Sequence, residues 1–290
     1  LSFITLLGLG VPIAYSIGIA SIATMLISIQ SIPAFTTIAQ RMATGLDSFA
    51  LLAIPFFILA GQIMNRGGIA RRLIDFAKVM VGMLPGGLAY VNILACMLFG
   101  AISGSAVAAA SAIGGFMNPV MIKEGYSRPF SAAVNITSST TGLVIPPSNI
   151  LIVYSLASGG VSIAALFLAG YLPGILVGLA LMIVAGYFAY RKKYPVGDRV
   201  GLRIALKRFL DAIPSLTLLI VVIGGIVAGI FTATEASAIA VLYTLILAFI
   251  YKEVTFKDIP EIFLKTIGTT SVVMLLIGTS MGMSWVMSYE

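Results

Sequence analysis

Residues 87–122, GLAYVNILACMLFGAISGSAVAAASAIGGFMNPVMI, form a run of 36 residues without a charge. Both flanks are basic. Residues 65–86 carry Arg66, Arg71, Arg72 and Lys78, and residues 123–128 carry Lys123 and Arg128. An excess of Lys and Arg marks the cytoplasmic side of a membrane chain, so the run must enter and leave by the same face. Two full crossings need roughly 40 residues plus a turn, and 36 are too few. The spacing predicts a re-entrant helical hairpin that stops near mid-membrane. Its tip belongs at Ser103-Gly104-Ser105, where helix propensity is weakest. Irregular backbone at that depth is tolerated only when buried in protein or lining a cavity, which makes the tip a candidate site.

The next apolar segment, 129–157, carries Ser138-Ser139-Thr140-Thr141-Gly142 and then Pro146-Pro147-Ser148-Asn149. Two consecutive prolines remove two backbone donors and push the preceding residue out of the α region, so a continuous helix cannot pass. A broken membrane helix therefore follows the hairpin directly.

The surrounding chain fits the same solvent. Hydrophobic residues make up 60% of the 290 and charged residues 9%, against about 25% charged in a soluble protein. The apolar stretches run continuously instead of alternating, so the reading is an all-α polytopic membrane protein and not a β-barrel. Further spans are expected at 1–29, 49–64, 162–190, 212–231, 235–251 and 262–289. The first is too long for a signal-peptide core and lacks a basic leader, so it reads as a membrane span. Placing 65–86, 123–128, 191–211 and 252–265 inside gathers sixteen of the seventeen Lys and Arg on one face. The N-terminus is then cytoplasmic, and Arg41 sits in an external loop with Asp47. Residues 199–211 mix basic and apolar residues and read as an amphipathic helix on the cytoplasmic surface. Trp285 and Tyr289 read as an interface anchor.

Several functions are excluded. The net charge of +7 comes from loop residues that set orientation, which argues against nucleic acid. There is no histidine and one cysteine, Cys96, so neither a Cys/His metal cluster nor a His-based triad can form. An intramembrane enzyme is left without a nucleophile–base pair, and the protein is expected not to be an enzyme.

The two breaks point to transport. Half-helix ends leave N–H and C=O groups unpaired; C-terminal ends and unwound carbonyls can coordinate Na⁺. Serine and threonine hydroxyls add neutral oxygens without the cost of burying a carboxylate. Neither 103–105 nor 138–149 holds a charged residue, which suits a monovalent cation and not Mg²⁺ or Ca²⁺. Close helix packing or a simple kink would account for either motif alone. Together they predict a cation-coupled secondary transporter. Glu235, at the outer end of a span, is read either as part of a coupling site or as a helix cap with Thr232 or Thr234. Asn118 and Asn135 are expected to make interhelical hydrogen bonds.

At the level of motifs the chain resembles a known family. Leu51-Leu-Ala-Ile-Pro-Phe-Phe-Ile-Leu-Ala-Gly-Gln-Ile-Met-Asn-Arg-Gly-Gly-Ile-Ala70, Leu84-Pro-Gly-Gly-Leu-Ala89 and Gly100-Ala-Ile-Ser-Gly-Ser-Ala-Val107 are similar to the large membrane subunit of TRAP (tripartite ATP-independent periplasmic) transporters. So are Ile145-Pro-Pro-Ser148, Gly224-Gly-Ile226 and Gly229-Ile-Phe-Thr-Ala-Thr-Glu-Ala236, in the same order and nearly end to end.

The resemblance implies an elevator-type, Na⁺-coupled importer of small organic acids, such as C4-dicarboxylates or sialic acids, in a bacterial inner membrane. It implies a small four-helix membrane subunit and a periplasmic solute-binding protein as partners. The transport domain of this family consists of two inverted repeats, each a re-entrant hairpin and a broken helix. On that pattern, 1–86 and 161–251 are scaffold and 87–160 is the first repeat, with hairpin 87–122 and broken helix 129–157. Residues 252–290 would begin an incomplete second repeat. The family chain continues with that repeat, so this sequence is expected to lack the C-terminal third. Carried over by motif, a Na⁺ site involves Ser103, Gly104, Ser105, Thr140, Thr141, Gly142, Val144 and Pro147, largely through carbonyls. Ser148, Asn149 and Ser139 would face the substrate, with Glu235 as a further position. Ala109 and Ala233 depart from the family pattern, which expects Asp and Pro there. A single-component ion-coupled anion transporter of the same architecture is the alternative.

Overall fold

The computed structural model describes residues 2–197 and 201–289. Fourteen α-helices are present among them: α1 Ser2–Gly8, α2 Ile13–Ser28, α3 Ser31–Leu46, α4 Ala53–Arg66, α5 Ile69–Val81, α6 Gly87–Ser103, α7 Ala106–Lys123, α8 Arg128–Ser139, α9 Thr141–Val144, α10 Asn149–Ala157, α11 Ile163–Lys192, α12 Leu202–Val227, α13 Ala233–Ile250 and α14 Ile259–Tyr289. Six stretches among the described residues are long and apolar enough to cross a membrane, or seven when the bent pair Arg128–Val144 and Asn149–Ala157 counts as one span. The protein is a polytopic helical membrane protein.

Backbone packing divides the chain into two compact units, Leu1–Leu52 with Leu264–Glu290, and Ala53–Phe263. In the first, Met25, Ala34, Ile38 and Val286 form a core. Arg41 lies 5.1 Å over the Trp285 ring, which itself stacks on Tyr289 at 5.2 Å. This corrects two expectations. Arg41 is on helix α3 and not in a loop, because Ala34 and Ile38 one and two turns earlier give that helix a buried stripe. Residues 1–29 are not one helix; Gly10 (φ +81°) and Pro12 separate α1 from α2.

In the second unit α6 is the hub, packing on α4, α5, α7, α8, α9 and α11. Twelve of its 17 residues are buried, including Asn92, Cys96, Phe99 and Ser103. A strip of polar side chains between α6, α7 and α8 is hydrogen-bonded inside this core. Cys96 Sγ donates to Asn92 Oδ1 at 3.3 Å, Asn135 Nδ2 to the Ala110 carbonyl at 3.0 Å, and Ser131 Oγ to Asn118 Oδ1 at 2.8 Å. Asn118 and Asn135 thus make the interhelical bonds expected of them. The basic connection 65–86 folds as α5, with Ile69, Ala70, Leu73, Ile74 and Ala77 buried on one side. The Asn65-Arg66-Gly67-Gly68 turn is where expected, with Gly68 in the left-handed region (φ +69°).

The stretch 199–211 is not a separate surface helix. Residues 199 and 200 lie outside the described residues, and from Leu202 the chain forms the first half of α12, which continues to Val227. Phe209 packs against Phe76 of α5 at 5.8 Å, anchoring this half to protein.

The α4–α5 turn is tied to the start of α14 through Arg66, whose Nη2 lies 2.8 Å from Asp258 Oδ1 and 3.5 Å from Glu261 Oε2. Asp258 Oδ2 also accepts from the Thr255 hydroxyl at 2.7 Å and the Thr255 N–H at 2.9 Å. The Thr255 hydroxyl, then the Arg66 guanidinium, hold the Asp258 carboxyl well below the usual carboxylate range. A depressed folded-state value stabilises the fold above the unfolded value, about 4, and that contribution fades as pH falls further. Asp258→Asn should therefore lower thermal stability at neutral pH and flatten its loss below about pH 4. Melting curves of both proteins across that range check it; parallel curves would refute the assignment.

Candidate functional site

A helix–turn–helix is present with its turn at Ser103-Gly104-Ser105, where the sequence suggests it, and its second arm, Ala106–Lys123, is itself long and apolar enough to cross a membrane. α6 ends at Ser103, Gly104 caps it in the left-handed conformation (φ +63°), and Ser105 starts α7 by accepting from the Ala108 N–H at 3.3 Å. Only glycine takes that φ without strain, and serine is a preferred cap, so tip and turn follow from three residues. At 1.5 Å per residue the arms are about 26 and 27 Å long. Arms of that length place the tip near the middle of a roughly 30 Å core only if their bases stand clear of it or the arms tilt.

The second element is broken where the prolines lie. α8 ends at Ser139, α9 is one turn, and Ile145 to Ser148 leave the helix; the halves are bent by 48°. The Pro146–Pro147 peptide is cis. Ser148 closes the break, its hydroxyl donating to the Leu143 carbonyl at 2.5 Å and accepting from the Leu151 N–H at 3.4 Å.

Tip and break meet backbone to backbone. The Asn149 N–H donates to the Gly104 carbonyl at 3.3 Å. A Cβ on Gly104 would stand 2.9 Å from the Pro147 carbonyl oxygen, and one on Gly142 would stand 2.9 Å from the Gly100 Cα. The two chains can approach this closely only because Gly100, Gly104 and Gly142 have no side chains. Helix α4 closes the tip from another side, since a Cβ on Gly61 would stand 3.0 Å from Ser103 Cβ. Helix α11 lays a glycine ridge along the assembly. Side chains at Gly170 and Gly174 would overlap the break at Val144 and Ile145, and ones at Gly178 and Gly186 would overlap Met97 and Tyr90 of α6.

Two buried oxygens at this junction have no hydrogen-bond partner, Ser103 Oγ on the tip and Asn149 Oδ1 on the break. Unpaired buried oxygens are costly and uncommon. Other hydroxyls bond back to their own helix: Ser139 to the Ile136 carbonyl at 2.8 Å, Thr140 to Thr137 at 2.6 Å and Thr141 to Ser138 at 2.6 Å. Each hydroxyl oxygen keeps acceptor capacity while donating its proton. Of the residues singled out in the sequence, Ser103, Gly104, Ser105, Gly142, Pro147 and Asn149 come together. Thr141, Val144 and Ser148 belong to the break itself, with Thr141 and Ser148 fully buried. Thr140 is exposed. Ala109, where the resemblance expects an acid, is buried in the first turn of α7, its N–H on the Ser105 carbonyl at 3.0 Å.

Glu235 is elsewhere and has a local job. It forms a capping box at the start of α13, its Oε2 accepting from the Thr232 N–H at 2.7 Å and the Thr232 hydroxyl at 2.8 Å. Gly61, Gly100, Gly170 and Gly174 are positions the motif reading missed. Their four-residue spacing, Gly100 to Gly104 and Gly170 to Gly174 to Gly178, is the small-residue signal that could have found them.

Paired discontinuous helices inside a polytopic membrane protein are the architecture of secondary transporters. The sequence matches the family model for the tripartite ATP-independent periplasmic transporter, DctM component, over residues 1–290, and the chain belongs to that family. It is 58% identical to the uncharacterized protein YgiK of Salmonella typhimurium, covering 99% of this chain and 66% of that one. It is 36% identical to the C4-dicarboxylate TRAP transporter large permease protein DctM of Rhodobacter capsulatus, covering 99% of this chain and 68% of that one. It is also 36% identical to the sialic acid TRAP transporter large permease protein SiaM of Vibrio cholerae, covering 98% and 66%. The chain thus spans about two thirds of the length of these relatives.

Gly100→Ala should destabilise the protein by about 1–3 kcal/mol, since the new methyl would strike the Gly142 backbone, which cannot yield as a side chain does. Gly115→Ala on α7, with open space around it, should instead gain about 0.5–1 kcal/mol of helix stability. Thermal unfolding of the two variants in detergent checks the contrast.

Proposed function

We propose that this chain is part of the large membrane subunit of a Na⁺-coupled TRAP transporter that imports small organic acids across a bacterial inner membrane. The observation that carries the reading is the junction of tip and break: backbone carbonyls of both elements beside the unpaired Ser103 and Asn149 oxygens, with no charged residue in 103–105 or 138–149. Na⁺ accepts such a neutral oxygen cage, whereas Mg²⁺ and Ca²⁺ ordinarily recruit carboxylates. Ser103, Gly104, Ser105, Thr141, Gly142, Val144 and Pro147 would supply those oxygens, with Thr140 contributing its carbonyl, since its side chain is exposed. Asn149, Ser148 and Ser139 would meet the substrate, and the unpaired Asn149 Oδ1 is available to a hydroxyl or protonated group.

Cargo class follows from the relatives, whose names specify C4-dicarboxylate, 2,3-diketo-L-gulonate and sialic acid, all small organic acids. As in other TRAP systems, a small four-helix membrane subunit would brace the scaffold, and a periplasmic binding protein would deliver substrate. Residues 87–160 would form the moving repeat, sliding as an elevator against scaffold from 1–86 and 161–251, with residues from 252 beginning the second repeat. The N-terminus would be cytoplasmic.

The energetics suit coupling. One positive charge moved inward gains about 2.3 kcal/mol per 100 mV, so two Na⁺ offset the charge of a dicarboxylate and leave their concentration gradient as net drive. Na⁺ bound at the junction would fix tip against break and so order the Asn149 side chain before substrate arrives. An empty junction would leave Asn149 loose, which ties substrate affinity to Na⁺.

Uptake into proteoliposomes checks this. The full-length large subunit with its small subunit and binding protein should accumulate a labelled organic acid only with an inward Na⁺ gradient. Ser103→Val should raise the Na⁺ concentration for half-maximal uptake roughly tenfold, corresponding to about 1.4 kcal/mol for one lost ligand. Uptake that is equal in K⁺, or unchanged by Ser103→Val, would overturn the Na⁺ site. Uptake without any binding protein would favour the single-component alternative.

A further inference from the structure

A polar cavity lies at the base of the hairpin, away from tip and break. It encloses about 320 Å³ and is lined by Lys78 of α5, Glu124 and Val120 at the end of α7, Leu88 at the start of α6, Tyr126, the segment Pro195–Gly197, and Arg208 of α12. Its frame is built from backbone. The Gly86 N–H donates to the Pro195 carbonyl at 3.1 Å, and Pro85 and Val196 form an isolated β-bridge. Side chains at Gly87 or Gly197 would overlap the Gly82 carbonyl. Packed rings hold the wall: Tyr126 stacks on Tyr194 at 4.3 Å, and Phe130 lies tilted against Tyr194 at 5.1 Å.

Three features of this cavity are unlike ordinary loop charge. Lys78 and Arg208 come from different helices, are each half-buried, and have no carboxylate partner among the described residues. A basic residue that only sets orientation has no reason to turn inward, because a solvated position costs it nothing. Tyr126 is 3% exposed, and its hydroxyl, with the Leu88 backbone as its nearest polar neighbour, donates its proton to no acceptor. Glu124 supplies one carboxylate at the exposed edge. Two cations and a hydroxyl beside one acid match a group with an anion and a cation close together. A phosphate monoester or diester satisfies Lys and Arg donors, and basic pockets between membrane helices are a recurrent head-group site.

We propose that this cavity binds a phosphoethanolamine group, its phosphate held by Lys78 and Arg208 with the Tyr126 hydroxyl donating, and its ammonium facing Glu124. The group can come from a phosphatidylethanolamine in the bilayer or from a soluble phosphate ester. Bound there, it would tie α5 and α12 to the base of the hairpin.

Two binding arms test the proposal with the purified full-length protein. In one, soluble O-phosphoethanolamine is titrated into protein in phosphatidylcholine nanodiscs. In the other, phosphatidylethanolamine retained through delipidation is counted by native mass spectrometry. One molecule should bind in at least one arm, and the arm that responds identifies the source. Lys78→Gln with Arg208→Gln should weaken binding roughly tenfold or more, while Lys78→Arg with Arg208→Lys retains it. Glu124→Gln, at an exposed position, should weaken phosphoethanolamine and leave inorganic phosphate unaffected. Absence of binding in both arms, or equal binding by wild type and the Gln pair, would overturn it.

Discussion

A single hydrogen bond, from the Asn149 N–H to the Gly104 carbonyl, joins two places where helices stop inside the protein. Hydrocarbon offers no partners to a free peptide group, so every helix end within it must be met by protein, ion or trapped water. Two ends brought face to face satisfy part of that demand from each other. The remainder, including Ser103 Oγ and Asn149 Oδ1, is left concentrated at one point. Interrupting either helix alone would only cost stability; interrupting both in contact gathers the unpaired oxygens on which the proposed cation site rests.

The rest of the larger unit is arranged to permit that approach. Glycines stand at the close approaches around the junction: Gly61 on α4, Gly100 and Gly104 at the end of α6, Gly142 in the break, and Gly170, Gly174, Gly178 and Gly186 along α11. Without a hydrophobic effect between helices in lipid, close backbone contact is what holds them, and small residues allow it. The same glycines let a broken helix, a poor packing element by itself, sit against two intact ones. Beside them α6 carries a buried strip of Asn92, Cys96 and Asn135 contacts that fixes its rotation.

Much of this was legible in the residue order. Charge asymmetry and a run too short for two crossings gave the hairpin, and Pro146-Pro147 gave the break, because prolines and loop lysines act locally and leave strong marks. Ser105, Ser148 and Thr232 acted as helix caps, as their chemistry predicts. What failed depended on partners distant in sequence. Arg41 looked like loop charge until Trp285, far along the chain, gave it a ring to cover. The 199–211 stretch looked like a surface helix because its mixed face resembles a membrane interface, yet Phe209 finds Phe76 and the helix runs on. Side-chain direction around the break was equally hidden: adjacent Thr140 and Thr141 are alike in sequence, and only one is buried.

The central claim is that Na⁺ holds tip and break together. Hydrogen–deuterium exchange of the full-length protein, read on peptides covering 98–108 and 139–152, tests it directly. Na⁺ should slow exchange in both peptides together, with K⁺ at equal ionic strength giving no such protection. Protection of only one segment, or the same protection in K⁺, would contradict the account.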